Sequence, residues 1–316
     1  MSDTPVECPM CGGPDLRCVG GIADGDYFAG RVLPRPIPGG RLWHCESCGS
    51  AFKHPLLTAH AYASLYTAGL AEQWAGARKR RDFELAAAII GAEPAQASVL
   101  DVGCGTAELL RGLPASHPRY GIEPGAEAVA VAQSHGIRIL GADLAALPAE
   151  ARFDVVMLID VIEHAADVAA LLRDALRHVA PGGLLLVSTG DPSSTAWRCW
   201  FGARFWYASF PEHLRFPSAA FFRQWAARQG ARLDACIRFR YHALPWYQRL
   251  IGAGVQSAYA LSPALFSAAG RVLRGGQAPR AARRQHYSPG VPGVFQDHQL
   301  LVVRKSAQGR ENRKSA

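Results

Sequence analysis

Two short cysteine units stand near the start of the chain, Cys8-Pro-Met-Cys11-Gly and Cys45-Glu-Ser-Cys48-Gly. Each has the form of a knuckle, a tight turn that aims two thiolates and nearby backbone N–H groups at one ion. The glycine supplies the positive φ that the turn requires. Four sulfur ligands suit a tetrahedral structural zinc with no position left for substrate or water. A redox dithiol fits less well, because no βαβ pattern surrounds either pair. His44 could replace a thiolate, but a full set of sulfurs leaves it no vacancy. Cys18 falls on a ribbon strand, and Cys199 and Cys236 read as small buried hydrophobes.

A second constellation begins at Val99-Leu100-Asp101-Val102, which runs into Gly103-Cys104-Gly105-Thr106-Ala107-Glu108 and then a helix. A strand-loop-helix of this kind brings backbone close to a ligand at the carboxyl edge of a parallel sheet. The third glycine of the dinucleotide pattern is absent, and Glu108 stands where an anionic pyrophosphate would meet a carboxylate. This argues for a ligand without phosphates. Glu123 ends the second strand, where a carboxylate can accept both hydroxyls of a ribose. Asp143 follows the third strand and can accept from an adenine amino group. The fourth strand ends in Asp160-Val161-Ile162-Glu163-His164, and Pro181-Gly182-Gly183 precedes the fifth. Acidic side chains at successive strand ends suit a ligand with a positive centre, a ribose and an adenine.

On the string VLDVGCG, Glu123, the Asp143 loop, FDVVMLIDVIEH and PGG, in this order and spacing, the chain resembles the class I S-adenosylmethionine (SAM)-dependent methyltransferases over roughly residues 95–304. The resemblance implies an α/β, Rossmann-like fold with a seven-stranded mixed sheet whose last strand, here His298 to Arg304, is antiparallel. It implies that Asp101, Gly103, Cys104 and Gly105 line the methionine part of SAM. Glu123 would bind the ribose, Asp143 with Leu144 the adenine, and Asp160 with Val161 would flank the sulfonium side.

Methyl transfer asks the protein to align an acceptor, exclude water and remove a proton from a weak nucleophile. His164, beside the proposed sulfonium, is one candidate base, and a capping or packing role explains it equally well. His213 lies in Phe210-Pro211-Glu212-His213-Leu214-Arg215-Phe216-Pro217-Ser218, after the fifth strand, with Glu212 placed to orient it. A similar Tyr-x-Glu-His-x-x-Tyr-Phe segment supplies the base in methyltransferases with a zinc-binding N-terminal module, including sugar C-methyltransferases. Phe210 and Pro217 depart from that pattern, which favours O- over C-methylation of a small-molecule or glycosyl-type acceptor. Amino methylation of bases or glutamine is disfavoured by the lack of an Asn/Asp-Pro-Pro-aromatic motif after the fourth strand, and Cys199 lacks the Pro-Cys context of cytosine C5 methylation. The runner-up is a zinc-ribbon rRNA methyltransferase, although the ribbon carries little basic charge and no aromatic-basic interleaving. A SAM-binding scaffold without catalysis is a third reading, disfavoured by retention of the glycine loop and both candidate bases.

The elements that position these residues follow from periodicity. Apolar β-type runs at Ser98–Val102, Arg119–Ile122, Ile137–Leu140, Phe153–Leu158, Gly183–Ser188, Ala231–Arg240 and His298–Arg304 alternate with helical patterns, which predicts a mainly parallel sheet covered on both faces. A zinc-ribbon module occupies 1–52, a helical connector 53–97 and the SAM-binding domain 98–305. The connector reads as helix from Phe52 onward, with Tyr62, Leu65, Tyr66 and Leu70 at near-helical spacing and a basic patch Arg78-Lys79-Arg80-Arg81. Residues 241–296 form a helical insertion or lid, and 306–316 a disordered basic tail. The chain has 316 residues and a net charge of +8. All of that excess arises after residue 270, so it belongs to a loop and a tail and is weak support for nucleic acid. The apolar run from Tyr241 to Phe266, followed by arginines, admits contact with a membrane surface or a lipid-linked acceptor through 241–284. No secretory or transit signal and no membrane span is read, which places the protein in the cytoplasm.

Overall fold

Short runs such as Leu184-Leu185-Leu186-Val187 mark strands buried on both faces, and they lie within the largest of the three sheets among the described residues. The computed structural model describes residues 4–28, 31–58, 61–62, 65, 80–266, 288 and 293–307. In chain order the elements are strands β1 (Leu16–Gly21), β2 (Gly25–Phe28), β3 (Arg31–Ile37), β4 (Arg41–Cys45) and β5 (Ala51–His54), then helix α1 (Arg81–Ile90). There follow β6 (Val99–Val102), α2 (Glu108–Gly112), β7 (Arg119–Ile122), α3 (Ala126–Ser134), β8 (Arg138–Gly141) and β9 (Phe153–Ile159). The chain continues with α4 (Val168–His178), β10 (Val179–Gly190), β11 (Arg215–Phe216), α5 (Ala219–Arg228), β12 (Ala231–Phe239), α6 (Trp246–Leu261) and β13 (His298–Lys305).

The described residues fall into two compact units. One comprises 1–70, 190–218 and 239–298, the other 71–189, 219–238 and 299–316. The second unit carries the seven-stranded sheet in the order β12-β13-β10-β9-β6-β7-β8. Strands β6 to β10 run parallel, with Val99, Leu100 and Asp101 opposite Val155, Val156 and Met157. The last strand is antiparallel, as the resemblance implies. Helices cover it by ordinary amphipathic logic. In α4, Val168, Leu172, Ala175 and Leu176 turn inward, and Asp167 caps the start by accepting from Ala170 N–H at 2.9 Å.

The first unit is built differently. Strands β1, β4, β5 and β11 make a four-stranded sheet, and β2 pairs with β3 as a separate ribbon. Its core gathers Leu42, Trp197, Phe201, Phe205, Tyr207, Phe216 and Tyr259 from all three chain segments. Here the sequence expectation needs correction. Phe52 does not open a helix. It lies in β5, fully buried, pairing with Trp43 on one side and Arg215 on the other. The edge of β4 offers a ladder to the next segment, and Pro55 ends that strand before a helix can start. Residues 1–52 are accordingly part of a larger unit that includes β11. Helix α1 begins at Arg81, while Tyr66, Leu70, Arg78 and Lys79 lie outside the described residues. So do the arginines of 271–284 and most of the 306–316 tail. Of the 241–296 insertion, the described part includes α6.

Candidate functional site

The carboxyl ends of the parallel strands in the second unit hold Asp101, the glycine loop, Glu123, Asp143 and Asp160. Asp101 sits on the central strand β6 and is almost completely buried. Burial pushes its carboxyl up to about 7, opposed by the Arg80 guanidinium and reinforced by Glu123 and Asp82. Gly103 takes φ +74°, and a Cβ there would meet Val161 Cγ2 at 2.7 Å. Gly105 takes φ +53° with open space beside it. The loop can thus let a ligand approach backbone that any side chain would cover.

The loop amides are committed to the protein. Gly103 N–H and Cys104 N–H donate to Ile122 O at 2.8 and 3.1 Å, and Gly105 N–H donates to Glu123 Oε2 at 2.9 Å. In a phosphate-binding loop such groups would point at the anion. Their engagement agrees with a ligand lacking phosphates. Glu123 also accepts from Gly125 N–H at 2.8 Å, which fixes its carboxylate while leaving lone-pair capacity for further donors. Asp143 accepts from Ala146 N–H at 3.2 Å and caps a short turn in which Leu144 is buried. The Cys104 side chain is buried in packing, since a Cβ on Gly121 would lie 2.6 Å from its sulfur.

Asp160 is held at φ +53°, a left-handed conformation that few non-glycine residues adopt. Arg80 reaches it at 2.6 Å and also clasps Asp82 through two nitrogens, Nε at 3.1 Å and Nη2 at 2.5 Å. Asp82 has no solvent exposure. The sequence gives no sign of Arg80 and Asp82 as site residues, because nothing local ties a basic run before a helix to residue 160. Beyond them, buried Glu163 accepts from Thr189 Oγ1 at 3.0 Å, and the Oγ of Ser188, also fully buried at the end of β10, has no hydrogen-bond partner among the described residues. His164 lies at the end of the turn Ile162–His164. Glycines that leave backbone open, fixed carboxylates and an unsatisfied buried hydroxyl fit a ligand with cationic and hydroxyl groups.

His213 and Glu212 belong to the first unit. The chain turns back on itself so that His213 N–H donates to Ser209 O at 3.0 Å, and the ring Nδ1 meets Tyr207 O at 2.5 Å. A carbonyl can only accept, so Nδ1 carries a proton in this contact. This carbonyl orients the ring through Nδ1. Burial drives the Lys53 ammonium well below the usual lysine range, and Glu212 opposes that effect. Lys53 is completely buried, donates to Ala208 O at 2.7 Å and lies over the Phe210 ring. Packed under Tyr207 is a buried pair, His298 Nδ1 with Asp297 Oδ1 at 2.8 Å, and Asp297 also accepts from Trp206 Nε1 at 3.2 Å.

In the same unit the sulfurs of Cys8, Cys11, Cys45 and Cys48 lie within 4.8 Å of one another. Cys8 and Cys48 are 3.9 Å apart, and Cys11 and Cys45 3.6 Å. Tetrahedral zinc with bonds of about 2.3 Å sets its sulfurs about 3.8 Å apart. Both knuckles close by a backbone bond, Gly12 N–H to Cys8 O at 2.9 Å and Gly49 N–H to Cys45 O at 2.8 Å. Without a cation, burial and neighbouring sulfurs push Cys11 up to about 11. The cluster is compatible with a zinc ribbon.

Comparison with known proteins follows the same line. A family model described as "Methyltransferase domain" matches residues 70–235, more than half of the chain. A ubiquinone biosynthesis O-methyltransferase of Azorhizobium caulinodans is 38% identical over 99 residues, 29% of this chain and 39% of the relative. Its namesake in Pseudoalteromonas translucida is 28% identical over 159 residues, 46% of this chain and 67% of the relative. The chain thus spans about two fifths of the first of these relatives. A solved coclaurine N-methyltransferase bound to N-methylheliamine and SAH aligns with TM-score 0.47 at 13% identity, covering 71% of each chain. With more than half its length matched by that family, and the glycine loop and strand-end carboxylates within the match, the chain belongs to the class I SAM-dependent methyltransferases.

Proposed function

We propose that this methyltransferase acts on a hydroxyl of a small-molecule or glycosyl-type acceptor, with His213 as the base. The observation that carries the reading is the Nδ1 contact to Tyr207 O, which fixes the ring and assigns proton uptake to Nε2. The names of the relatives, O-methyltransferases of ubiquinone biosynthesis, support oxygen as the methylated atom. Bound SAM supplies a methyl group on a sulfonium, whose transfer leaves a neutral thioether. The acceptor O–H bond breaks as the O–CH₃ bond forms, and the proton passes to Nε2 of His213. Asp101 and the backbone of Gly103 and Gly105 hold the methionine part, with Cys104 as their packing support. Glu123 accepts from the ribose, Asp143 and Leu144 hold the adenine, and Asp160 with Val161 borders the sulfonium side. His164 is kept as the second base candidate, and Glu212 supports the His213 loop through Lys53. Cys8, Cys11, Cys45 and Cys48 hold a structural zinc.

The test is to incubate the protein with methyl-labelled SAM and a fractionated cell extract. Alkali-stable label in metabolites or glycans, as expected of a methyl ether, supports the reading. Label confined to RNA would overturn it, and so would label on carbon.

A further inference from the structure

Helix α6 carries two opposite faces. Gly252, Gln256 and Tyr259 are buried, and the Tyr259 ring joins the core of its unit. On the other side Trp246, Tyr247, Leu250, Ile251 and Leu261 are 67%, 50%, 65%, 65% and 88% exposed. At about 100° per residue these five project within one half of the helix circumference. No charged residue lies among them, and Leu265, just beyond, is 72% exposed. Exposed large apolar side chains gathered in one stripe mark a surface that something covers.

The charge of the surrounding chain says what. From residue 241 to residue 296 the sequence contains six arginines (Arg249, Arg271, Arg274, Arg280, Arg283, Arg284) and no aspartate or glutamate. A second copy of the chain would carry the same net positive stretch, so charge opposes self-association through this part of the sequence. An anionic lipid surface suits both features, since acyl chains can take the apolar stripe of the helix and the lipid charge is opposite to the net charge of this stretch of sequence. Trp246 and Tyr247 at one end suit the boundary between the two. Among the described residues no helix is long and apolar enough to cross a membrane, so the helix would lie in the surface plane.

We propose that α6 is an interfacial helix that docks the protein on anionic phospholipid. The experiment is co-sedimentation of the full chain with vesicles of equal parts phosphatidylglycerol and phosphatidylcholine, against phosphatidylcholine alone. The wild type should sediment with the anionic vesicles and be released by added salt. Leu250→Glu with Ile251→Glu should weaken binding about tenfold or more. Unfolding temperature and SAM affinity should stay unchanged, since both side chains are mainly exposed. Trp246→Ser, a milder change on the same face, should weaken it less.

Failure of the wild type to sediment would overturn the proposal, as would equal binding by the double variant, which would leave the arginines acting alone. A dimer in sedimentation velocity that the double variant dissolves would assign the face to a second copy. A tRNA complex weakened by the same substitutions would assign it to RNA. Either result would overturn the lipid reading.

Discussion

At the scale of single residues, two side chains of the proposed chemistry have protons controlled by their surroundings. The His213 ring is fixed through Nδ1–H by Tyr207 O. Its replacement by alanine should lower turnover about 10²- to 10⁴-fold, the range of a positioned base, while SAM affinity measured by calorimetry stays within a factor of about two. Loss of both together would point to a structural role. Asp101 has a different signature, because burial pushes its carboxyl up to about 7. Its folded state therefore holds a proton that the unfolded state has released, so this residue's contribution to stability falls as pH rises from about 4 to about 7 and is level above. A cationic ligand prefers the ionised form. Affinity for S-adenosylhomocysteine, whose ammonium remains, should rise by up to about tenfold per pH unit below 7 and flatten above it. Asp101→Asn should abolish that slope. An unchanged slope in the variant would remove Asp101 from the ligand's environment.

Among the elements, the start of α1 and the glycine loop make the strongest demands. Arg80 joins Asp82, buried without exposure, to Asp160 in its left-handed conformation. Removing the guanidinium takes the cation away from a carboxylate with no solvent exposure, so Arg80→Ala should cost about 3 kcal/mol in denaturant unfolding, and Asp82→Asn should restore part of it. If the two changes simply added, the pair would not be coupled. In the loop, Gly103→Ala should lose about 1–2 kcal/mol from its φ alone, plus the clash with Val161, which Val161→Ala should relieve. Most of these elements were legible in advance. The apolar runs place β7 at its observed bounds and the other strands of that sheet within a few residues, since buried strands announce themselves by composition. What stayed hidden depends on contacts remote in sequence. Arg80 meets a partner 80 residues away. Strand β11 is only two residues long, too short for any pattern, and it is nevertheless the partner that makes a strand of Phe52.

For the whole molecule, the division into units carries a prediction of its own. The core around Trp197, Phe205 and Phe216 comes from chain segments far from the cysteine knuckles. A fragment of residues 1–70 loaded with zinc should hold its knuckles yet show fast exchange of the Lys53 amide, which in the full chain donates to Leu214 O. Equal protection in the fragment would make the ribbon independent after all. Stripping the metal from the full chain with a chelator should release about one zinc per chain and open the first unit to protease. The pairing of β5 with β11 also has a consequence for biosynthesis. At about 5–20 residues per second, the ribosome needs roughly 10–30 s to travel from His54 to Phe216. Through that interval one edge of β5 waits for its partner strand, and a metal clasped early by the two knuckles would keep the nascent sheet from pairing with a neighbour instead.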